Sequence, residues 1–166
     1  IDPSSCCLVM ITPDGQRTMA TYLGASTSLR LEDVDLKLLK NTKIVYLEGY
    51  LFDLPEAKNL FNTIVDKKKH YGYEVALSLS DPFCVERHKE DFLKLIEKEI
   101  NILFGNEEEI GSLLNCKIEE ALVKASKKGS ISICTRGSKG STLCKGDELF
   151  NSKAFDVNVV DTTGAG

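Results

Sequence analysis

Three segments of the sequence place polar side chains and glycines directly after short apolar runs that are typical of β-strands. They read NEEE from Asn106, TRGSKG from Thr135 and DTTGAG from Asp161. Glycines let a main chain approach a phosphate closely, and carboxylate and amide oxygens are ligands that Mg²⁺ accepts. The three segments therefore favour binding of a phosphorylated ligand together with a divalent cation.

Each segment also has a simpler interpretation. Asn106 as N-cap with Glu109 three residues later forms a capping box, which is the commoner meaning of this spacing. The TRGSKG segment, in which Thr135 or Lys139 could donate to a phosphate, is also compatible with a plain turn. The terminal GAG suits an anion-binding start of a helix, but it is also compatible with a dinucleotide-binding G-x-G-x-x-G that ends after its second glycine.

Composition narrows the possible partners. The 166 residues are 42% hydrophobic with a net charge of −4, so the basic excess of nucleic-acid binders is missing and no nucleic-acid partner is expected. No apolar run has membrane-spanning length, and no signal peptide opens the sequence, so neither a membrane partner nor export is expected. The six cysteines lack C-x-x-C spacing and indicate reduced thiols of a cytoplasmic protein.

The chain divides into a hairpin pattern followed by alternating strands and helices. Asp14-Gly15 between two apolar runs predicts a β-hairpin within residues 1–28. Residues 29–166 alternate strand patterns with helical ones, including a short helix over 31–40, a helix opened by Pro55 and a short apolar strand at Val159-Val160 before Asp161. Such alternation predicts an α/β fold with a mainly parallel sheet, and ligands bind beyond the carboxyl ends of such strands.

In this order the segments resemble the ribokinase (PfkB) family of carbohydrate and nucleoside kinases over nearly all of the chain. The stretch DGQRTMATYLGAS is similar to the family's lid hairpin, NEEE to its N-x-x-E, TRGSKG to its T-x-G-x-x-G and DTTGAG to the start of its D-T-x-G-A-G-D. The resemblance implies a ribokinase-like three-layer α/β/α sandwich with a β-hairpin lid. It also implies a domain that continues at both ends, with a catalytic aspartate expected at position 167.

The resemblance further implies an ATP-dependent phosphotransferase that moves the γ-phosphoryl group to a hydroxymethyl of a sugar or nucleoside. The backbone of Gly164, Ala165 and Gly166 would form the anion hole, with the catalytic base after it. Asn106 and Glu109 would organise Mg²⁺ and phosphate, while Thr135, Gly137 and Gly140 would lie along the ATP phosphates. Arg17 would reach from the lid toward substrate. Asp161 and Thr163 correspond to a place where some relatives bind a monovalent cation such as K⁺.

One departure from the family pattern bears on the substrate. Where many sugar kinases of the family carry D-x-N-x-R, this sequence keeps Asp81, has Phe83 in place of the asparagine and displaces the arginine to Arg87. That departure tilts the expectation toward an adenosine-kinase-like branch. Relatives often dimerise through the lid, so a homodimer is a candidate assembly. The alternatives are a non-catalytic nucleotide-binding module and a dinucleotide-binding oxidoreductase.

Overall fold

The computed structural model describes residues 2–98, 100–126 and 129–163. Contacts between residues divide the chain into two units. One unit comprises Ile1–Leu29 with Phe155–Gly166, and the other comprises Arg30–Ala154. None of the helices in the described ranges is long and apolar enough to cross a membrane.

The first unit is built on the predicted hairpin. Strand β1 (Cys6–Ile11) pairs antiparallel with β2 (Arg17–Tyr22). The turn closes through two 2.9 Å main-chain bonds between Thr12 and the residues Gly15 and Gln16, and Gly15 adopts a φ of +78°. Asp14-Gly15 supplies this backbone conformation at little steric cost, so the local sequence explains where the chain reverses.

The second unit is a six-stranded sheet with helices in the connections. Its strands, in both chain and sheet order, are β3 (Ile44–Glu48), β4 (Glu74–Ser78), β5 (Ile102–Asn106), β6 (Ile131–Thr135), β7 (Ser141–Lys145) and β8 (Glu148–Ser152). Strands β3 to β6 are parallel, whereas β7 and β8 each pair antiparallel with the strand before. The connecting helices are α1 (Pro55–Tyr71), α2 (Pro82–Arg87), α3 (Lys89–Glu97), α4 (Glu107–Leu114) and α5 (Ile118–Ser126). The predicted α/β class is confirmed.

The apolar pattern of α1 explains its place in the core. Pro55 occupies the first turn, where its missing N–H is tolerated, and Gly72 ends the helix at a φ of +79°. The side chains that the 3.6-residue period predicts to face inward are all buried, namely Ala57, Leu60, Phe61, Ile64 and Val65. Phe52, in the 3₁₀ turn Gly49–Asp53 before α1, stacks on Phe92 of α3 with ring centroids 4.4 Å apart, so the aromatic core links the segment before α1 to α3.

Two predicted elements differ in the structure. The helix expected over 31–40 is two short 3₁₀ turns, Leu31–Asp33 and Leu36–Asn41, because Asp33 and Asp35 accept main-chain hydrogen bonds from Arg30 and Lys37. Short acidic side chains that bond the backbone in this way compete with an α-helix. The short strand expected at Val159-Val160 before Asp161 is irregular, and Val160 is 81% exposed.

Candidate active site

Two of the three chemically suggestive segments meet at the carboxyl edge of the sheet. Asn106 ends β5, Thr135 ends β6, and the parallel register sets these two residues opposite each other. This edge is where ligands bind in open parallel sheets. The third segment, at 161–163, belongs to the unit that contains the hairpin.

The first segment forms the predicted capping box. The Asn106 side chain accepts a bond of 2.8 Å from the Glu109 main-chain N–H, while both Glu109 carboxylate oxygens accept bonds from Asn106, one from its main-chain N–H and one from its side-chain amide. Reciprocal bonds of this kind satisfy donors that the first turn of α4 leaves open. The capping interpretation of N-x-x-E is therefore confirmed.

The Glu109 carboxyl is also buried, with 7% of the residue exposed. Burial raises its pKa, and the negative charges of Asp81 and Glu48 raise it further. A buried anion near other carboxylates gains from a neighbouring cation, and oxygen ligands suit a hard one such as Mg²⁺. Glu109 and Asn106 thus fit a magnesium site in charge and ligand type, with the capping bonds holding the carboxylate in one orientation.

The second segment, residues 135–140, is called the glycine loop below. It closes through a main-chain bond of 2.8 Å from Arg136 N–H to the Gly140 carbonyl and one of 3.0 Å from Gly140 N–H to the Gly137 carbonyl. Gly137 has a φ of +55° with open space around the position of a Cβ atom. Gly140 has a φ of +92°, and a Cβ there would lie 2.0 Å from the Ser152 carbonyl oxygen. The two glycines therefore serve different purposes, because one borders open space and the other allows close contact with the chain after β8.

An ion-pair cluster joins the glycine loop to α4, and the sequence did not predict it. Arg136 donates to Glu107 across 2.9 Å, and Lys139 lies 3.5 Å from the other Glu107 oxygen. Arg136 also donates to the Thr142 hydroxyl across 3.4 Å. These contacts hold the pKa of Glu107 below its usual range, with the Arg136 bond as the main cause.

The loop after β4 carries the departure from the sugar-kinase pattern. Ser80, at a φ of +68°, donates to Glu48 and accepts a 3.0 Å bond from the Gly49 main-chain N–H. Asp81 caps α2 by accepting a 2.7 Å bond from the Cys84 N–H, and Phe83 is 67% exposed. The carboxylate at position 81 is thus a helix cap here.

Arg87 and His88, just beyond that loop, both bind Asp53. Arg87 forms two bonds to Asp53, the shorter of 2.7 Å, and the His88 Nε2 lies 2.8 Å from the same carboxylate. Asp53 and His88, together with Cys84, form the one group of three candidate metal ligands among the described residues. Lys58 donates to His88 Nδ1 across 2.9 Å, so the proton sits on Nε2 and points at Asp53.

This group is held together as an ion-pair network. A metal at His88 Nε2 would move the proton to Nδ1, where it would face the Lys58 ammonium. Burial raises the pKa of the Cys84 thiol to about 11, and its Sγ donates to the Gly49 carbonyl across 3.4 Å. Arg87 already donates to both Asp53 oxygens, so no carboxylate oxygen of this group is left without a protein cation.

In the hairpin unit, Arg17 and the third segment lie together. Arg17 donates to the Thr162 hydroxyl across 2.7 Å and to its carbonyl across 3.2 Å. Asp161 accepts a 2.8 Å bond from the Thr163 N–H, and this bond lowers the pKa of Asp161. The predicted anion-hole residues Gly164, Ala165 and Gly166 lie outside the described residues.

Comparison with known sequences decides the family. The sequence model of the pfkB family of carbohydrate kinases matches residues 2–166. The chain belongs to the pfkB carbohydrate kinase family.

Solved structures of similar proteins confirm the ribokinase-like α/β fold. Adenosine kinase from Sinorhizobium meliloti is 35% identical with a TM-score of 0.90, and the match covers 98% of this chain and 51% of that one. A probable sugar kinase from Rhizobium etli CFN 42 is 36% identical with a TM-score of 0.90, over 99% of this chain and 51% of that one. Among curated proteins, adenosine kinase of Schizosaccharomyces pombe is 23% identical over 190 residues, covering 100% of this chain and 55% of the relative. The pfkB-family chain therefore spans about half the length of these relatives.

Proposed function

We propose that the protein is an ATP-dependent kinase that transfers the γ-phosphoryl group to a hydroxymethyl group of a nucleoside or sugar. The observation that carries the proposal is the parallel register that sets Asn106 opposite Thr135, in a chain of the pfkB family. This register brings a buried carboxylate and a glycine-rich turn to one sheet edge. A metal–nucleotide complex needs that combination of groups.

The residues of the sheet edge take the following roles in this proposal. Glu109, oriented by Asn106, would hold Mg²⁺, which when bound neutralises charge on the phosphates. Thr135 donates its hydroxyl to a phosphate oxygen, and Gly137 lets the loop backbone approach the phosphates because the space around it is open. Gly140 keeps the loop in shape through its contact with residues 152–154. These roles are positioning and electrostatic, as phosphoryl transfer requires.

The residues of the hairpin unit would act on the acceptor and the transferred group. The backbone N–H groups of Gly164, Ala165 and Gly166 would stabilise the charge that develops on the phosphoryl group, and an aspartate at position 167 would take the acceptor's proton. Arg17 would turn from Thr162 to the substrate or its phosphate. Asp161 and Thr163 would supply oxygens to a monovalent cation such as K⁺.

For the acceptor we propose a nucleoside of the adenosine type. Phe83 in place of an asparagine removes an amide that would bond sugar hydroxyls, and Arg87 is engaged by Asp53. Two relatives described as adenosine kinases support this choice, whereas the equally similar relative described as a probable sugar kinase keeps ribose and fructose among the acceptors to be tested. All six cysteines are free thiols, which supports a cytoplasmic location, because that compartment keeps thiols reduced. We also propose a homodimer that forms through the hairpin.

The proposal is tested by offering the intact protein γ-labelled ATP, Mg²⁺ and three acceptors in parallel, namely adenosine, ribose and fructose. We expect a labelled phosphomonoester with adenosine and none when Mg²⁺ is omitted. Label on ribose or fructose alone would keep the kinase and overturn the nucleoside choice. ATP binding without transfer to any acceptor would favour a non-catalytic module, and tight NADH binding would favour an oxidoreductase.

A further inference from the structure

The main-chain hydrogen bonds made by residues 136–140 of the glycine loop join these residues to one another. Besides the bonds between Arg136, Gly137 and Gly140, the Lys139 N–H donates 3.1 Å to the Arg136 carbonyl. Residues 137–139 are all exposed. The strand at Thr135 and the close approach of Gly140 to residues 152–154 fix the ends of this turn, and a side-chain contact is needed to fix its exposed middle relative to α4.

Arg136 provides that contact. Its side chain is 25% exposed, and its guanidinium meets groups from three elements: Glu107 of α4 at 2.9 Å, Thr142 of β7 at 3.4 Å and Glu119 of α5 at 3.8 Å. A planar guanidinium with several fixed donors suits such multiple contacts better than an ammonium. The pair with Glu107 is the shortest of the three.

Glu107 is the residue on which both cations of the loop converge. One carboxylate oxygen accepts from Arg136, and the other lies 3.5 Å from Lys139, whose side chain is 67% exposed. Glu107 directly follows Asn106 and is the first residue of α4. A single side chain therefore ties the glycine loop to the helix end that carries the Asn106–Glu109 capping box.

We propose that Glu107 is a positioning residue that sets the orientation of the glycine loop and thereby the affinity for the nucleotide. The inference rests on the proposed function, because it takes residues 135–140 as the phosphate-binding loop. Through Arg136 and Lys139, Glu107 keeps the loop amides and the Asn106–Glu109 cap in one fixed relation. Glu107 itself does not contact the nucleotide.

The sign of the effect separates positioning from bulk charge. Glu107 is an anion beside a phosphate-binding loop, so on charge alone its removal would strengthen binding of ATP. If Glu107 acts by positioning, its removal weakens ATP binding, because the loop then becomes ordered only when ATP binds and this ordering costs part of the binding free energy. Glu107→Gln distinguishes the two, since it removes the charge and keeps the shape.

The experiment measures the Kd of a fluorescent ATP analogue with Mg²⁺ on the intact protein, together with hydrogen exchange at the amides of Arg136, Lys139 and Gly140. For Glu107→Gln we expect about threefold to tenfold weaker binding and faster exchange at these amides, as the loss of one charge-assisted contact implies. The matched control is Glu120→Gln, which breaks the exposed 2.8 Å pair with Lys124 on α5 and should change neither readout.

A charge swap provides the rescue. Arg136→Glu alone should weaken binding as Glu107→Gln does, and the double variant Glu107→Arg/Arg136→Glu should recover at least half of the loss. Equal or tighter binding by Glu107→Gln, or no recovery in the double variant, would overturn the inference. If the wild-type protein binds no nucleotide, the proposed function fails, while unchanged exchange in Glu107→Gln would independently refute the positioning of the loop.

Discussion

Substitution of the two loop glycines should separate a stability effect from a binding effect. Gly140→Ala places a methyl group where the chain after β8 passes, 2.0 Å from the Ser152 carbonyl oxygen and 2.7 Å from the Ala154 nitrogen. Gly137→Ala adds the same methyl group within the same turn, but nothing lies within 4 Å of it. The pair is matched in chemistry and differs in surroundings.

The magnitudes follow from backbone conformation and overlap. Gly140 has φ +92° and ψ −132°, a region that essentially only glycine adopts, at a penalty of about 1–3 kcal/mol for alanine. The overlap with backbone atoms adds roughly 1–3 kcal/mol, because main-chain segments must shift. We therefore expect Gly140→Ala to lower the free energy of unfolding by about 2–6 kcal/mol. Gly137→Ala meets only the left-handed penalty, about 1–2 kcal/mol.

Urea unfolding followed by circular dichroism measures both variants. With a slope of about 2 kcal/mol per molar, the midpoint should fall by roughly 1–3 M for Gly140→Ala and by at most about 1 M for Gly137→Ala. Nucleotide affinity, compared under conditions in which both variants are folded, should fall for Gly137→Ala because the methyl group occupies the open space beside the loop. Equal midpoints for the two variants would refute the assignment of Gly140 to packing against residues 152–154.

Three further predictions concern the cap, the hairpin unit and the core. Burial raises the pKa of Glu109 above its unfolded value, so the folded protein binds an extra proton in the window between the two values, and this group's contribution to stability falls as pH rises through that window. Urea midpoints measured from about pH 4 to 8 should therefore fall for the wild type relative to Glu109→Gln as pH rises, because the other carboxyl groups titrate alike in both proteins. Thr162→Val removes the hydroxyl that accepts a hydrogen bond from Arg17, so hydrogen exchange at the Thr163 amide should become faster. The free energy of unfolding should fall by less than about 1 kcal/mol, and an unchanged exchange rate at Thr163 would contradict this prediction. Phe52→Ala should lower the free energy of unfolding by about 3–5 kcal/mol, against about 1–1.5 for Phe52→Leu, because Phe52 is 1% exposed and stacked on Phe92.

Local signals in the sequence predicted the elements that depend on local chemistry. Pro55, the 3.6-residue spacing of apolar side chains and Gly72 specify α1 without reference to the rest of the chain. Asp14-Gly15 specifies the reversal of the hairpin, and the Asn106–Glu109 spacing specifies the start of α4. Each of these is a bond or steric preference within a few residues, which a single sequence expresses directly.

Features that depend on distant partners were missed or predicted wrongly. All five residues of β8 are exposed and show no apolar alternation, and the strand exists because it pairs with β7, where Asn151 accepts a bond of 2.7 Å from Thr142. The short apolar run at Val159-Val160 favours a strand by composition, but a strand also needs a neighbour for its main-chain bonds, and the described residues pair none with it. The same holds for the candidate site, where Glu107 and Arg136 lie 29 residues apart and no local pattern marks them as partners.

The central claim, that this sheet edge and hairpin belong to a phosphotransferase, is tested most directly by ADP formation from ATP and Mg²⁺ by the intact protein, with and without adenosine. We predict slow ADP formation with ATP alone, strong stimulation by adenosine, and loss of the stimulated rate in Glu109→Gln with the fold intact. ADP formation that no hydroxymethyl acceptor stimulates, or a stimulated rate that Glu109→Gln leaves unchanged, would contradict the account.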